Sequence, residues 1–175
     1  MRLFIAIKFN EIVIDRLCKS ITRLKEVALK GNFTHKENLH LTVVFIGETN
    51  KVEVVKSAMD GVNAVPFELT IGGVGRFKRD GGDIYWAGVN KNNVLTDIYH
   101  QLWAKLSKRG LILENRAYKP HLTLGREVVL PKTFDEKEFT ESVPHMNMMV
   151  DSVSLMKSER INGKLTYTEI YKKQF

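Results

Sequence analysis

The stretch ENLHLTVVFIG at residues 37–47 and the stretch YKPHLTLGR at residues 118–126 share a His-x-Thr pattern inside an apolar run. Side chains alternate between the two faces of a β-strand, so residues two apart point the same way. His40 and Thr42 therefore share one face of a predicted strand, and His121 and Thr123 share one face of another. Apolar residues cover the opposite faces. The sequence thus predicts two strands that each present an imidazole and a hydroxyl on a rigid support.

The rest of the chain surrounds these strands in a repeated order. The first half predicts a strand at 2–8, a helix at 11–30 capped by Asn10, the His40 strand at 39–46, a helix from Thr49 or Asn50 to residue 62, and a strand at 66–72. The second half predicts strands at 84–89, 121–125 and 148–156, with helices at 94–109 and 135–142. A final strand at 165–172 follows the turn signal at 162–163.

The two halves are related by a nearly constant offset. His121 follows His40 by 81 residues, and Tyr85 follows Phe4 by 81 residues in the two opening strands. A fixed offset between similar units indicates an internal duplication. We therefore expect an α+β fold and a single domain over 1–175, made of two pseudo-symmetric lobes at approximately 1–75 and 83–157 with a C-terminal strand at 164–172. Largely antiparallel sheets from these strand–helix–strand–helix–strand units should face a central groove.

Composition limits the classes of protein that the chain fits. It has 175 residues, a formal charge of +7 and a single cysteine. One cysteine excludes an intramolecular disulfide and a cysteine-based zinc cluster. No run approaches the roughly 20 apolar residues that a membrane span requires, so we expect a cytoplasmic protein without a membrane partner. The positive charge favours polyanionic partners such as RNA, although charge alone is weak evidence.

Two opposed histidines suit phosphodiester chemistry. An in-line displacement at phosphorus requires a base for the nucleophile and an acid for the leaving oxygen, on opposite sides of the phosphate. Two imidazoles with ordinary pKa values near neutrality fill both roles, one neutral and the other protonated. The hydroxyls of Thr42 and Thr123 would donate to the non-bridging oxygens, where negative charge builds up. Such a reaction requires no metal and no cofactor.

Less specific interpretations of these residues stand beside this one. A single His-x-Thr on a strand is more often structural than catalytic, and only the repetition reverses that expectation. A metal site would call for His-x-His or His-x-x-x-His spacing, or for a carboxylate two residues away, and neither segment has them. Aromatic residues near the motifs offer stacking surfaces for a base or ordinary core packing. These residues are Phe4, Phe9, Phe45, Tyr85 and Trp86.

Taken together, the segments 2–7, 38–42, 85–89 and 120–126, with Ser158, Gly163 and Tyr167, resemble the RNA 2′,3′-cyclic phosphodiesterase branch of the 2H phosphoesterase superfamily, also called 2′-5′ RNA ligases. The resemblance spans nearly the whole chain. It implies a bilobal fold with a central groove and hydrolysis of RNA 2′,3′-cyclic phosphate ends to 2′-phosphomonoesters. It also implies that His40 is the proton donor and His121 the proton acceptor; the near-symmetry of the two segments does not distinguish these roles.

The resemblance also suggests that Arg126 binds phosphate. Strand alternation opposes this, since a regular strand would point Arg126 away from His121, unless a bulge at Gly125 restores its direction. We expect the basic residues Lys119, Arg116, Arg76, Lys78 and Arg79 to steer RNA or to form a solvated surface. His35, His100 and His145 should have ordinary roles. Reversible 2′-5′ RNA ligation and a non-catalytic RNA-binding module remain alternatives, and a monomer is the default expectation.

Overall fold

Nine strands and four helices account for most of the computed structural model, which describes residues 1–175. The strands are β1 (Arg2–Lys8), β2 (Lys30–Phe33), β3 (His40–Glu48), β4 (Phe67–Phe77), β5 (Asp83–Val89), β6 (His121–Val129), β7 (Met146–Val150), β8 (Ser152–Ile161) and β9 (Lys164–Gln174). The helices are α1 (Glu11–Val27), α2 (Val52–Asp60), α3 (Asn93–Lys108) and α4 (Glu136–Ser142). The α+β class expected from the sequence is confirmed.

Two antiparallel sheets carry the histidine motifs. The first has the order β3-β1-β8-β9 and the second has the order β2-β6-β5-β4-β7. Each histidine strand pairs with the opening strand of its own half, β3 with β1 and β6 with β5. β3 and β6 also contact one another. The two motifs therefore meet where the two sheets are adjacent.

The third strand of each half joins the sheet of the other half. β4 follows the His40 strand in the chain but pairs with β5 and β7, whereas β8 pairs with β1. The two sheets therefore do not coincide with the segments 1–75 and 83–157. The physical reason is that alternation of apolar residues fixes which face of a strand is buried but leaves its neighbour undetermined.

Several element boundaries differ from the sequence-based expectations. α1 ends at Val27 rather than at residue 30, and Lys30–Phe33 forms the short edge strand β2 instead. The run expected as one strand at 148–156 is two strands, broken at Asp151 and belonging to different sheets. α2 begins after Lys51, and the Thr49 hydroxyl accepts from the Lys51 amide rather than capping the helix.

The two longest helices both begin at an asparagine cap, of which Asn10 was predicted from the sequence. The Asn10 side chain accepts a hydrogen bond from the Val13 amide at 2.9 Å, as expected for an N-cap. Asn92 does the same for Leu95 at 3.0 Å. Gly110, with φ of 76°, ends α3 as glycine does in the left-handed region.

One continuous core joins both sheets. A single cluster of 37 buried residues draws on both sheets and all four helices. α1 packs against β2 and β6 of the second sheet, while α3 packs against β3 of the first. No helix of the chain combines the length and the apolar character required to cross a membrane. Because strands and helices of each half pack on the other half, the two histidine strands rest on a shared support.

Candidate active site

The two imidazoles are held by the same backbone contact. His40 Nδ1 lies 2.7 Å from the Asn38 carbonyl oxygen, and His121 Nδ1 lies 2.6 Å from the Lys119 carbonyl oxygen. A carbonyl oxygen only accepts hydrogen bonds, so each Nδ1 carries the proton and donates. Nε2 is then the basic nitrogen in both neutral rings. The contact fixes the tautomer and leaves Nε2 for acid–base chemistry.

The surroundings of the histidines lower the pKa of both imidazoles. Burial is the largest cause and moves each pKa below the ordinary value of 6.5. The Asn38 and Lys119 carbonyls oppose this shift, while the positive charge of Arg126 lowers both values further. Each imidazole is therefore mainly neutral at pH 7.

The threonines lie on the same strand faces as the histidines. His40 Nε2 is 3.0 Å from the Thr42 hydroxyl oxygen. Since the proton of the neutral ring is on Nδ1, the hydroxyl donates to Nε2 in that state. Thr123 has no side-chain hydrogen bond to His121, but it shares the half-buried face of β6 with it. Both predicted hydroxyls thus flank an imidazole in the folded chain.

A bulge turns Arg126 towards the groove. Residues alternate from His121 to Leu124, but Leu124 and Gly125 are buried in succession, and the pairing of β6 with β5 shifts register there. Arg126 therefore returns to the face of His121. Its charge acts on both imidazoles and on Tyr167, which places the guanidinium near all three.

The same bulge is present in the other motif. Val43 and Val44 are buried in succession, and β3 shifts register against β1 between Val44 and Thr42. The residue that corresponds to Arg126 is Phe45, 81 positions earlier, which packs beside Phe4. The duplication is therefore visible in backbone irregularities as well as in sequence.

The opening strands correspond at an offset of 80, one fewer than the histidine strands. Ala6 pairs with Thr42, and Trp86 pairs with Thr123. The expected equivalence of Phe4 and Tyr85 is wrong by one residue, and a slip of one moves a side chain to the other face of its strand. Tyr85 accordingly lies in the main core, whereas Phe4 and Trp86 lie beside the histidines.

Aromatic rings line both histidines. The ring centroids of Phe4 and His40 are 4.8 Å apart, and those of Trp86 and His121 are 6.1 Å apart. Sequence reasoning placed both aromatics near the motifs. It missed Phe77, whose ring meets His121 edge-on at 5.0 Å, because the strand was expected to end at residue 72.

Sequence reasoning also missed the contact of Tyr118 with the His40 strand. Tyr118 stacks on Tyr99 at 4.3 Å, and its hydroxyl donates to the Thr42 carbonyl at 3.3 Å. The segment that holds His121 is therefore tied to the strand that holds His40. Its position three residues before His121 was the available signal.

The remaining candidates lie elsewhere or have other partners. Arg76 forms ion pairs with Asp83 and Glu136, and Arg116 pairs with Glu114. Phe9 is part of the core.

The other histidines are apart from the two motifs: His35 precedes a 3-10 turn, His100 packs on Tyr99, and the His145 ring lies against Gly72. No group of three or more histidine, cysteine, aspartate or glutamate side chains is arranged to hold a metal ion.

Comparison with known proteins identifies the family. A model described as the 2′-5′ RNA ligase superfamily matches residues 13–162. The chain belongs to this superfamily. A Methanocaldococcus jannaschii protein named RNA 2′,3′-cyclic phosphodiesterase is 33% identical over 72% of the chain and 71% of its own length. A Thermotoga maritima protein of the same name is 29% identical over 100% of the chain and 96% of its own length.

Two solved structures have the same fold as this chain. Escherichia coli LigT, crystallised with 3′-AMP, superposes with a TM-score of 0.82 at 22% identity, over 99% of this chain and 97% of LigT. The Thermus thermophilus protein TT0787 gives the same TM-score and identity over the same shares of the two chains. At this identity the likeness concerns the fold, and the superfamily fold expected from the two motifs is confirmed.

Proposed function

We propose that this protein hydrolyses RNA 2′,3′-cyclic phosphate ends to 2′-phosphomonoesters by metal-independent acid–base catalysis. The observation that carries the proposal is the matched pair of imidazoles, each with Nδ1 bonded to the carbonyl two residues earlier and Nε2 as the basic nitrogen. At His40 this nitrogen faces the Thr42 hydroxyl. Two such nitrogens on adjacent strands of different sheets suit the opposed acid and base of an in-line displacement. The shared name of the relatives supports the same reaction.

The proposed reaction begins with a water molecule on the His121 side of the cyclic phosphate. His121 Nε2 accepts a proton from the water while the water oxygen forms a bond to phosphorus. The bond between phosphorus and the 3′-oxygen breaks, and His40 Nε2–H gives its proton to that oxygen. The products are a 2′-phosphomonoester and a 3′-hydroxyl. The assignment of donor and acceptor follows the family resemblance.

Substrate binding prepares His40 for this role. In the protein its pKa is lowered, chiefly by burial, so the ring is mainly neutral at pH 7. An anionic phosphate placed beside the ring favours the charged form and raises the pKa. The substrate thus contributes to protonating its own acid, while Nδ1 continues to donate to the Asn38 carbonyl.

Phosphate binding is proposed for Thr42, Thr123 and Arg126. The threonine hydroxyls are neutral donors on the histidine faces of β3 and β6. Arg126 supplies a fixed positive charge whose five N–H groups suit phosphate oxygens. Donors already aimed at oxygens on which charge develops lower the barrier without further reorganisation.

The decisive experiment follows hydrolysis of a short RNA that ends in a 2′,3′-cyclic phosphate, with EDTA present. We expect a 2′-phosphate product, and losses of roughly 10²- to 10⁴-fold in rate for His40→Ala and for His121→Ala. His100→Ala is the matched control, since His100 is an exposed histidine outside the groove. Turnover that EDTA abolishes, or that tolerates either motif substitution, would refute the two-histidine mechanism.

Adding an RNA with a 5′-hydroxyl to the same assay tests the reverse reaction, in which that hydroxyl replaces water. Ligated product would show that the site also joins 2′-5′ ends. Binding of the RNA without turnover in the wild type would favour a non-catalytic module. The cytoplasmic location and the monomeric state stay predictions, and gel filtration tests the latter.

A further inference from the structure

Each histidine has an aromatic ring packed edge-on against it. The rings of Tyr167 and His40 are 5.1 Å apart with an interplanar angle of 87°, and those of Phe77 and His121 are 5.0 Å apart at 88°. Tyr167 comes from β9 and Phe77 from β4, which are not equivalent strands of the two sheets, so the similar packing does not follow from the duplication. The two rings differ in one group, because only Tyr167 has a hydroxyl.

The Tyr167 hydroxyl is free to bind a ligand. The Tyr118 hydroxyl donates to the Thr42 carbonyl, and the Tyr171 hydroxyl donates to the Asp60 carboxylate. The Tyr167 hydroxyl has no hydrogen-bond partner in the protein, and it is not among the buried polar atoms that lack one, so it is open to solvent.

The charge around Tyr167 favours an anion. Burial raises the pKa of Tyr167, so its oxygen keeps the proton at neutral pH and remains a donor. The positive charges of Arg126 and Arg2 act on the same oxygen. A neutral donor near two cations, on a ring that packs against His40, fits a phosphate oxygen rather than a cation or an apolar group.

We propose that the Tyr167 hydroxyl donates a hydrogen bond to a non-bridging oxygen of the substrate phosphate on the His40 side of the groove. This inference rests on the proposed function and adds a catalytic residue to it. His40 Nε2 serves the leaving oxygen, so a second donor beside His40 reaches a neighbouring oxygen of the same phosphate. Negative charge grows on that oxygen in the transition state, where the hydrogen bond strengthens.

The hydroxyl also supplies a donor that the duplication does not give to the His40 side. Arg126 follows His121 on β6, whereas its counterpart after His40 is Phe45, which has no side-chain donor. With Tyr167 packed against His40, the phosphate has an additional donor on each side of the groove.

Tyr167→Phe tests the proposal, because it removes the hydroxyl and keeps the ring that packs on His40 and Phe4. We expect kcat/KM for the cyclic phosphate to fall roughly 10- to 100-fold, the effect of one hydrogen bond to a charged group. Titration with inorganic phosphate should show weaker binding than in the wild type. The melting temperature should stay the same, since the ring contacts remain.

Two matched variants complete the test. Tyr171→Phe removes a hydroxyl that is bonded to Asp60 outside the groove, and it should leave kcat/KM unchanged. Phe77→Tyr places a hydroxyl beside His121, and in the Tyr167→Phe background it should not restore activity.

Activity and phosphate affinity of Tyr167→Phe within twofold of the wild type, with His40→Ala inactive, would overturn the role of Tyr167 and leave the proposed function standing. An inactive wild type would instead refute the proposed function. Phosphate titration would then still decide whether Tyr167 contacts an anion.

Discussion

Gly75→Ala should lower the rate of catalysis indirectly, by displacing the side chain of Trp86. The indole of Trp86 lies on Gly75, and a Cβ added there would come 2.7 Å from Trp86 Cζ3 and closer still to two other ring atoms. Ordinary contact begins at 3.4 Å. The ring must therefore move by at least about 0.7 Å at that atom, and on the order of 1 Å overall.

The displaced ring would disturb His121. Trp86 packs near both His121 and Phe77, whose ring meets His121 edge-on. A misplacement of about 1 Å at a catalytic group costs up to roughly 10²-fold in rate. We therefore expect kcat to fall about 100-fold, and overpacking to cost roughly 1–3 kcal/mol of unfolding free energy. Single-turnover hydrolysis of the cyclic phosphate and urea denaturation measure the two effects separately.

Gly73→Ala is the matched control on the same strand. Gly73 has φ of 71°, but no atom lies within 4 Å of the added Cβ. Alanine there costs backbone strain of roughly 1–2 kcal/mol and displaces no side chain. Its kcat should stay near the wild-type value. Equal kcat losses in both variants, or a Gly75→Ala loss that persists in a Trp86→Leu background, would refute the steric reasoning.

Two further predictions concern the electrostatics of the groove. The kcat/KM of the wild type should follow a bell-shaped pH profile with both limbs below pH 6.5. The reason is that burial and the charge of Arg126 lower the pKa of His40 and of His121 in the free enzyme. Limbs above pH 6.5 would contradict this prediction. Arg126→Ala should lower kcat/KM roughly 10- to 100-fold and move both limbs to higher pH, because it removes a charge that opposes the imidazolium forms. Arg126→Lys should keep the positions of the limbs, and an unchanged profile in the alanine variant would place the guanidinium away from the histidines.

The sequence predicted the site better than the path of the chain. In an apolar run, the alternation of a strand places the His and Thr of His-x-Thr on one face, so the proximity of His40 and Thr42 could be predicted from the sequence. The break at Asp151 was not, because one polar residue in a run of nine does not distinguish a surface position from the end of a strand. The edge strand Lys30–Phe33 has little apolar alternation and is recognisable only from its pairing with β6. Local pattern does not encode partners that lie far away in the chain.

The position of Arg126 shows how the duplication resolves an ambiguity that neither half resolves alone. In the second motif, Leu124-Gly125 is compatible with a regular strand that points Arg126 outwards. In the first, Val43-Val44-Phe45 contains three successive apolar residues, more than one face of a regular strand accounts for. If the halves share a backbone, the extra residue in the first requires a bulge in the second, and Arg126 must turn towards the histidines. The paired register shifts of β3 and β6 are that shared irregularity. Arg126, whose charge acts on both histidines, and Phe45, which packs in the other half, therefore occupy one structural position.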